Sequence, residues 1–484
     1  MGNNFHSTVS RRQFMKGLGL TGAGVGAAAA VAPVFHDLDE MISSENAGWK
    51  RPWYIKERDF ENPVIPIDWA NQKRAPAWRV SPFRYNASKD PIALNVVSNG
   101  LKIATDWIKE RSPEWGKGQE MGANGLKPGT VRDLALANAV GTLGFYDFPK
   151  KANKTWYLGL QQAATPETLK IAKWEGTPEE NIRMLRAAVR FFGGQDLGVT
   201  ALNDKTKKFV YEEENDKKKW IFGGSEPKET DTERYIPDAA QWVITYTNLQ
   251  STELTPRAPS ALGGIATTNA YRHWPQIEVM LKEFLRGLGY YGLSGASFSA
   301  VGPSNPWGIM SGIGEQQRMA NVVVSPEYGA HLRAVSRMPT NLQLAPTPPV
   351  DFGAYKFCTT CKICAETCPY GSLSMGDPTP TAPVDQLGAE QAAARGDQAF
   401  TGWWVDYRTC AFCGACMGVC PFNSTKNAPI HDLVIGTVAT TPLLNGFFSS
   451  MERTFGYGFK DPETWWETDL PVYGIDPKFT AKLI

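Results

Sequence analysis

The chain has 484 residues, a formal net charge of +1 and 20% charged residues. This length exceeds what one hydrophobic core usually serves, so it predicts two or three structural units. The nearly neutral charge argues against proteins that hold nucleic acid or an anionic membrane surface with a broad basic face. The 16 tryptophans are many for this length and predict aromatic packing in a core or around an apolar ligand.

The N-terminus carries a pattern typical of export. Residues 10–16 (SRRQFMK) match a twin-arginine signal, and a Gly/Ala-rich region at 17–34 follows. Glycines and Pro33 interrupt that region, which falls short of the ~20 apolar residues of a membrane span. Its G-x-G-x-x-G match at 17–22 has no strand before it, which excludes a dinucleotide site. We therefore expect twin-arginine export and a soluble or peripheral mature protein.

Residues 41–150 are rich in proline, tryptophan and polar turns, and predict a segment that wraps around the rest of the chain. In the middle region, Thr177, Pro178 and Glu180 form a capping-box pattern that opens a helix, and residues 197–202 predict a buried strand. The same order, a helix followed by a strand, recurs later in the chain. Pro275 is expected to open a second helix, which glycines end before a strand at 290–293. Two such units predict a mixed α/β domain, or two turns that are alike by chance.

Three other stretches of the middle region have simpler patterns. The mixed charges at 205–219 predict a solvated loop, and the prolines at 344–350 predict a linker. Small residues at 292–302 and 311–314 would let the backbone approach a flat ligand closely, or would serve as turns alone.

Two cysteine runs near the C-terminus carry the strongest signal. Residues 358–369 and 410–421 both read C-x2-C-x2-C-x3-C-P, the pattern that holds cubane iron–sulfur clusters. In two-cluster ferredoxins the fourth cysteine of each run ligates the other cluster. One predicted ligand set is therefore Cys358, Cys361, Cys364 and Cys420, and the other is Cys410, Cys413, Cys416 and Cys368.

Zinc and disulfides are the alternatives for these cysteines. A zinc site needs four ligands and no terminal Cys-Pro, and all 8 cysteines lie in the two runs. Two [4Fe-4S] clusters alone conduct electrons without catalysing a reaction. The sequence offers no Walker loop, no usable Rossmann fingerprint and no D-x-H-x-x-G motif for cobalamin. The residues alone thus indicate an exported two-cluster oxidoreductase whose redox centre they do not identify.

The chain as a whole resembles the respiratory reductive dehalogenases of organohalide-respiring bacteria. The twin-arginine signal, the α/β middle and the paired cubane motifs occur in the same order in that family. Outside the clusters, the resemblance rests on residues 288–290, 312–319, 326–333, 351–353 and 357–358.

This resemblance implies a nitroreductase-like α/β (α+β) core that binds a cobamide with its base away from cobalt, followed by a ferredoxin-like unit. It implies Tyr271 as the catalytic proton donor and Arg333 as its partner, because a guanidinium stabilises the phenolate that remains. The remaining implied positions are cofactor contacts: Thr267, Tyr290, Ser297, Gly312 and Gly314.

The implied function is reductive cleavage of carbon–halogen bonds in chlorinated alkenes or alkanes, as terminal reductase of organohalide respiration at the outer face of the cytoplasmic membrane. The implied partners are a small membrane-anchor subunit and a respiratory electron donor, without nucleic acid. The candidates for an apolar substrate pocket are Trp242, Tyr246, Trp274, Trp403 and Trp404.

Two alternatives remain open: a relative of epoxyqueuosine reductase, and an exported ferredoxin-like electron carrier. The predicted organisation is a signal region (1–40), the wrapping segment (41–150), a corrinoid-binding domain (151–345), a two-cluster domain (346–430) and a C-terminal segment (431–484).

Overall fold

The computed structural model describes residues 51–80, 90–141, 157–295, 301–333, 335–423, 429–455 and 458–467. Its strands are β1 (Lys56–Glu57), β2 (Met121–Asn124), β3 (Lys127–Thr130), β4 (Leu197–Ala201), β5 (Lys219–Phe222), β6 (Glu233–Ile236), β7 (Trp242–Tyr246), β8 (Asn248–Leu249), β9 (Leu332–Arg333), β10 (Met338–Thr340) and β11 (Val350–Asp351). Its helices are α1 (Ala77–Val80), α2 (Pro91–Arg111), α3 (Val131–Gly141), α4 (Pro166–Leu169), α5 (Pro178–Phe191), α6 (Ala261–Leu288), α7 (Ser304–Met310), α8 (Ala354–Cys361), α9 (Ile363–Glu366), α10 (Val384–Leu387), α11 (Ala389–Ala394), α12 (Ala415–Gly418), α13 (Pro429–Thr440) and α14 (Asn445–Phe455).

A three-stranded antiparallel sheet in the order β10-β7-β4 organises the middle region. Ile244 on the central strand lies beside Val199 on one side and Met338 on the other. These three side chains are buried in one core cluster with apolar residues of α5 and α6. The other sheets among the described residues have two strands each, and only the β5–β6 pair is parallel. The predicted mixture of helices and strands is confirmed, in its α+β form.

Helix α5 begins where the sequence predicts. The Thr177 backbone N–H donates to Glu180 Oε2 at 2.8 Å, and the Glu180 N–H donates to Thr177 Oγ1 at 3.2 Å. Pro178 occupies the first turn, where its missing N–H costs nothing. The predicted buried strand follows as β4.

Helix α6 corrects the prediction that Pro275 opens a helix. The helix begins earlier, after Ser260, whose Oγ accepts from the Gly263 N–H, and it runs for 28 residues to Gly289 with Pro275 inside it. A proline inside a helix removes the hydrogen bond to the carbonyl four residues before it, here that of Tyr271. Tyr271 therefore lies in the middle of a long helix and not before one.

The predicted strand at 290–293 is also wrong. A single bridge joins Gly292 to Thr340. Side chains take the neighbouring backbone groups, since the Tyr291 N–H donates to Asn341 Oδ1 at 3.0 Å and Thr340 Oγ1 donates to the Tyr291 carbonyl at 2.6 Å. These bonds replace the ladder that a strand would need.

Four of the eight cysteines lie in short helices: Cys358 and Cys361 in α8, Cys364 in α9 and Cys416 in α12. Most of the eight pack into or against a separate hydrophobic cluster. Helix α8 carries Cys358 and Cys361, and α14 covers it, with Arg453 Nη2 donating to the Cys361 carbonyl at 2.5 Å. Within the described residues no single helix is long and apolar enough to cross a membrane. The helices at 433–440 and 442–454 meet that criterion only as a pair bent by 115°.

The predicted solvated loop at 205–219 is partly buried instead. Phe209, Val210 and Tyr211 are almost inaccessible to solvent and pack with Trp220 and Trp307. These three apolar residues are consecutive in the sequence among the mixed charges, and such an apolar run indicates burial. The predicted linker is also packed, because Leu344 and Val350 are buried. The predicted domain boundaries stay predictions.

Candidate active site

The structure arranges the eight thiols into two sets that cross between the sequence runs. Cys420, the last cysteine of the second run, interacts electrostatically with Cys358 and Cys361 of the first run. Conversely, Cys368 interacts with Cys410 and Cys416 of the second run. We call Cys358, Cys361, Cys364 and Cys420 the distal set, and Cys368, Cys410, Cys413 and Cys416 the cavity set. These groups coincide with the ligand sets that the ferredoxin rule predicts; the ligation itself stays a prediction.

The arrangement of the thiols suits clusters better than zinc. All eight cysteines are free of disulfides. In the part of the chain that the structure describes, no three His, Cys, Asp or Glu side chains are close enough together to hold one metal ion. Zinc draws its thiolates to about 2.3 Å from a single ion. A cubane gives each thiolate an iron of its own, so it accepts a wider spacing.

An electrostatic interaction between two thiols links the two sets. Cys364 of the distal set interacts electrostatically with Cys416 of the cavity set. Burial is the main reason why the pKa of both thiols lies well above its usual value. Backbone N–H groups oppose this effect at other thiols: that of Phe412 lowers the pKa of Cys410, which burial nevertheless raises to about 12.

A cavity of about 290 Å³ lies against the cavity set. All four cysteines of that set contribute to its wall, whereas none of the distal set does. Most of the remaining wall is aromatic or apolar, and includes Phe209, Trp274, Phe400, Trp403 and Trp404.

Tyr271 and Arg333 face each other at this cavity. Both line its wall, and the Arg333 guanidinium carbon lies 5.7 Å from the centroid of the Tyr271 ring. Arg333 Nε donates to Gln250 Oε1 at 2.8 Å, and its Nη2 lies 3.1 Å from Met417 Sδ. Arg333 also interacts electrostatically with Cys416, so it is a neighbour of both the tyrosine and the cavity set.

Thr267 has a different place from the cofactor contact expected for it. Its hydroxyl lies one turn before Tyr271 on α6, accepts from Arg333 Nη2 at 3.3 Å and donates to Gln250 Oε1 at 3.2 Å. It is not among the residues of the cavity wall. Thr267 therefore orients Arg333.

Tyr290, Gly312 and Gly314, which are predicted as cofactor contacts, have close neighbours within the protein. Tyr290 lies outside the cavity wall, and its hydroxyl donates to the Trp174 carbonyl at 2.8 Å. Gly312 has φ +70°, and a Cβ there would overlap the Pro348 carbonyl. A Cβ on Gly314 would overlap the Val324 carbonyl. These glycines admit neighbouring backbone, so their smallness is explained without a ligand. Ser297 lies outside the described residues.

The residues after Gly314 support the distal set. Glu315 accepts from the backbone N–H groups of Phe352 (2.6 Å) and Tyr355 (2.9 Å) at the start of α8. The Arg318 guanidinium donates to the Cys358 carbonyl through Nε at 3.1 Å and Nη2 at 2.9 Å. This motif, which carried part of the family resemblance, thus fixes a cluster-bearing helix.

Glu315→Gln is expected to change how stability depends on pH. Burial raises the pKa of Glu315 from 4.5 to about 7, although backbone N–H groups oppose the shift. The folded protein therefore retains a proton that the unfolded chain releases, and the free energy of unfolding decreases as the pH rises from 4.5 to about 7. The free energy of unfolding of the glutamine variant should not decrease in this way. For wild type, the decrease amounts to roughly 3 kcal/mol at most.

Anaerobic thermal unfolding, followed by cluster absorption across this pH range, measures the difference between wild type and variant. Glu120→Gln, at an exposed carboxylate, serves as the matched control. Parallel pH profiles for wild type and Glu315→Gln would contradict the expectation.

Sequence reasoning missed several residues of the cavity wall. Val210 and Tyr211 belong to the stretch whose mixed charges predict a solvated loop, and no sequence pattern points to Arg337. Arg337 is only 4% exposed and interacts with Tyr211 and Tyr271. Of the aromatic candidates, Trp274, Trp403 and Trp404 line the cavity; Trp242 and Tyr246 belong to the sheet core.

The fold and the site define a class: an iron–sulfur oxidoreductase in which one of two cysteine sets forms part of an aromatic cavity beside a tyrosine–arginine pair. A family model described as "Reductive dehalogenase subunit" matches residues 50–222 and 228–344, and one described as "4Fe-4S dicluster domain" matches residues 357–424. The chain belongs to the reductive dehalogenase family. The match through the middle region does not fit a simple electron carrier.

Individual relatives agree with this assignment. Chloroethene reductive dehalogenase of Dehalococcoides mccartyi (strain VS) is 32% identical over 530 residues, which cover 98% of this chain and 99% of that protein. Trichloroethene reductive dehalogenase of Dehalococcoides mccartyi (strain ATCC BAA-2266 / KCTC 15142 / 195) is 30% identical over 98% of this chain and 99% of its own length.

Solved structures share the fold. The N-terminally tagged catabolic reductive dehalogenase NpRdhA superposes with a TM-score of 0.54 at 17% identity, over 88% of this chain and 52% of that one. A reductive dehalogenase structure described as suggesting a mechanism for B12-dependent dehalogenation gives a TM-score of 0.55 at 17% identity, with the same coverage of both chains. The chain thus spans about half the length of these solved structures.

Proposed function

We propose that this protein is an exported, corrinoid-dependent reductive dehalogenase that acts on small chlorinated alkenes or alkanes as the terminal reductase of organohalide respiration. The observation that carries the proposal is the single cavity shared by the cavity set of cysteines and the Tyr271–Arg333 pair. In this proposal an electron source and a proton donor serve the same bound ligand. The names of the chloroethene and trichloroethene relatives support the substrate class.

The cavity wall suits a corrinoid. Asn305 Oδ1 and Trp404 Nε1 are buried in it without a hydrogen-bond partner among the described residues. One accepts and the other donates, which matches the amide groups at the rim of a corrin ring. When bound, the corrinoid would supply the cobalt centre at which the carbon–halogen bond is reduced.

Tyr271 and Arg333 have complementary roles in this proposal. Reductive loss of halide leaves a carbon that must gain a proton, and the Tyr271 hydroxyl donates it. The Arg333 guanidinium, 5.7 Å from the tyrosine ring, stabilises the phenolate until a proton from solvent restores it. Gln250 and Thr267 keep the guanidinium in place through their hydrogen bonds.

The aromatic wall binds the substrate and limits access of water. Trp274 and Trp403 are buried, with at most 4% exposure, and offer an apolar surface to a chlorinated hydrocarbon. A wall of this kind discriminates little between similar hydrocarbons, because small differences in apolar size are worth only about 1–3 kcal/mol.

The proposed electron route runs from the distal set to the cavity set. The electrostatic interaction between Cys364 and Cys416 links the two sets. We further propose that the donor is a respiratory component at the outer face of the cytoplasmic membrane, to which a small anchor subunit holds the protein. The twin-arginine pattern at residues 10–16 supports export, but lies outside the described residues.

Two measurements on the anaerobically purified protein test the proposal. Extraction is expected to yield a corrinoid absorption spectrum, and halide release is expected from chloroalkenes or chloroalkanes with reduced viologen as donor. A protein with two clusters but without corrinoid would contradict the proposal. Activity on epoxyqueuosine-containing RNA without halide release would favour the alternative enzyme.

A further inference from the structure

Lys127 reaches the cavity set from a distant part of the chain. It begins β3, which forms an antiparallel hairpin with β2 in the register Met121↔Thr130 and Asn124↔Lys127. This hairpin belongs to the predicted wrapping segment, and Gly129 packs against Ala261 at the start of α6. A residue more than 280 positions before the second cysteine run is thereby brought beside it.

Gly264 provides the path for the lysine side chain. A Cβ on Gly264 would lie 2.5 Å from Lys127 Cδ, 3.0 Å from Cε and 3.5 Å from Nζ. The aliphatic part of Lys127 therefore crosses α6 where that helix has no side chain. This end of α6 lies near the second cysteine run. Ala258, just before α6, has its Cβ 3.8 Å from the position that a Cβ on Gly414 would take. The path of Lys127 therefore leads toward that run.

The Lys127 ammonium lies within electrostatic range of the cavity set. It interacts electrostatically with Cys413 and with Arg333. Further charged groups of the described residues also interact with this set: Arg333 at Cys416, and Arg395 and Asp406 at Cys410. The distal set has its own cation in Arg318, which interacts with Cys358, Cys361 and Cys364. Each set thus has separate positive neighbours.

We propose that Lys127 tunes electron transfer: its ammonium, whose aliphatic stem crosses α6 at Gly264, raises the reduction potential of the cluster on the cavity set. The inference rests on the proposed function, because it requires a [4Fe-4S] cluster at that set. A reduced cluster carries one more negative charge than an oxidised one, so a nearby cation stabilises the reduced form. The lysine thereby favours the arrival of electrons beside the cavity.

Redox titration of the intact, cluster-loaded protein by electron paramagnetic resonance tests the inference. Lys127→Gln is expected to shift the equilibrium between the two clusters toward the distal one on the order of tenfold, equivalent to about 59 mV for one electron. Gly264→Ala should shift it in the same direction, because the new methyl group displaces the lysine. Lys127→Arg, which keeps the charge, and Lys117→Gln, at an exposed lysine of the same segment, should leave the potential close to that of wild type.

Iron content separates the possible outcomes. Full iron with an unchanged potential in both Lys127→Gln and Gly264→Ala would overturn the inference and leave the proposed function intact. If Lys127→Gln loses iron, the reduction potential of Gly264→Ala decides the question: a shift toward the distal cluster supports the inference, and an unchanged potential overturns it. Wild-type protein without a second cluster signal would overturn the proposed function and the inference together.

Discussion

Tyr271→Phe is expected to lower kcat/KM for halide release by at least about 100-fold, the lower range of what a positioned proton donor contributes. The change removes only the hydroxyl, so the aromatic ring still lines the cavity and still faces Arg333 at 5.7 Å. Corrinoid and iron contents should therefore equal those of wild type. Anaerobic halide release, together with metal and corrinoid analysis of the same preparation, provides the measurement.

Tyr290→Phe is the matched control for this experiment. Tyr290 follows the same helix, but its hydroxyl donates to Trp174 outside the cavity wall. Loss of that hydroxyl should leave kcat/KM near wild type. A Tyr271→Phe variant with full turnover would remove the tyrosine from the mechanism, and proton transfer would then have to come from another group of the wall.

The cysteine ligands are the part of the site that the sequence predicts most completely. The spacing within each run is determined by the reach of neighbouring thiols, and the family rule adds the exchange of the fourth cysteine. The capping box at Thr177 is likewise a local pattern that the sequence alone predicts. The spacing within a run and the capping box are local patterns, so no tertiary information is needed to recognise them, whereas the exchange between the runs comes from the family rule.

Predictions failed where tertiary packing decided the outcome. Pro275 has the sequence signature of a helix start, yet contacts around the sheet continue α6 through it. For Gly312 and Gly314, which are predicted as cofactor contacts, the sequence does not reveal which backbone approaches them. Their neighbours are Pro348 and Val324. Arg333 was predicted as the partner of Tyr271, but only the structure shows Thr267 and Gln250 holding it.

Cysteine double variants are expected to reveal the exchange of ligands between the two runs. Cys368→Ala/Cys410→Ala removes two thiols from different runs but from the same set, so one cluster, on the distal set, should remain. Cys358→Ala/Cys368→Ala removes two thiols from the same run but from both sets, so neither cluster should remain intact. Iron analysis and electron paramagnetic resonance of the two purified variants measure the difference.

Ligation of each cluster by a single run predicts the reverse iron contents for the two double variants, so the comparison decides between the arrangements. The first double variant also tests the electron route. It should retain a cluster that accepts electrons from reduced viologen, yet its halide release should fall to background, because the remaining thiols of the distal set do not line the cavity. Turnover by a protein that holds only the distal cluster would show that electrons reach the cavity without the cavity set.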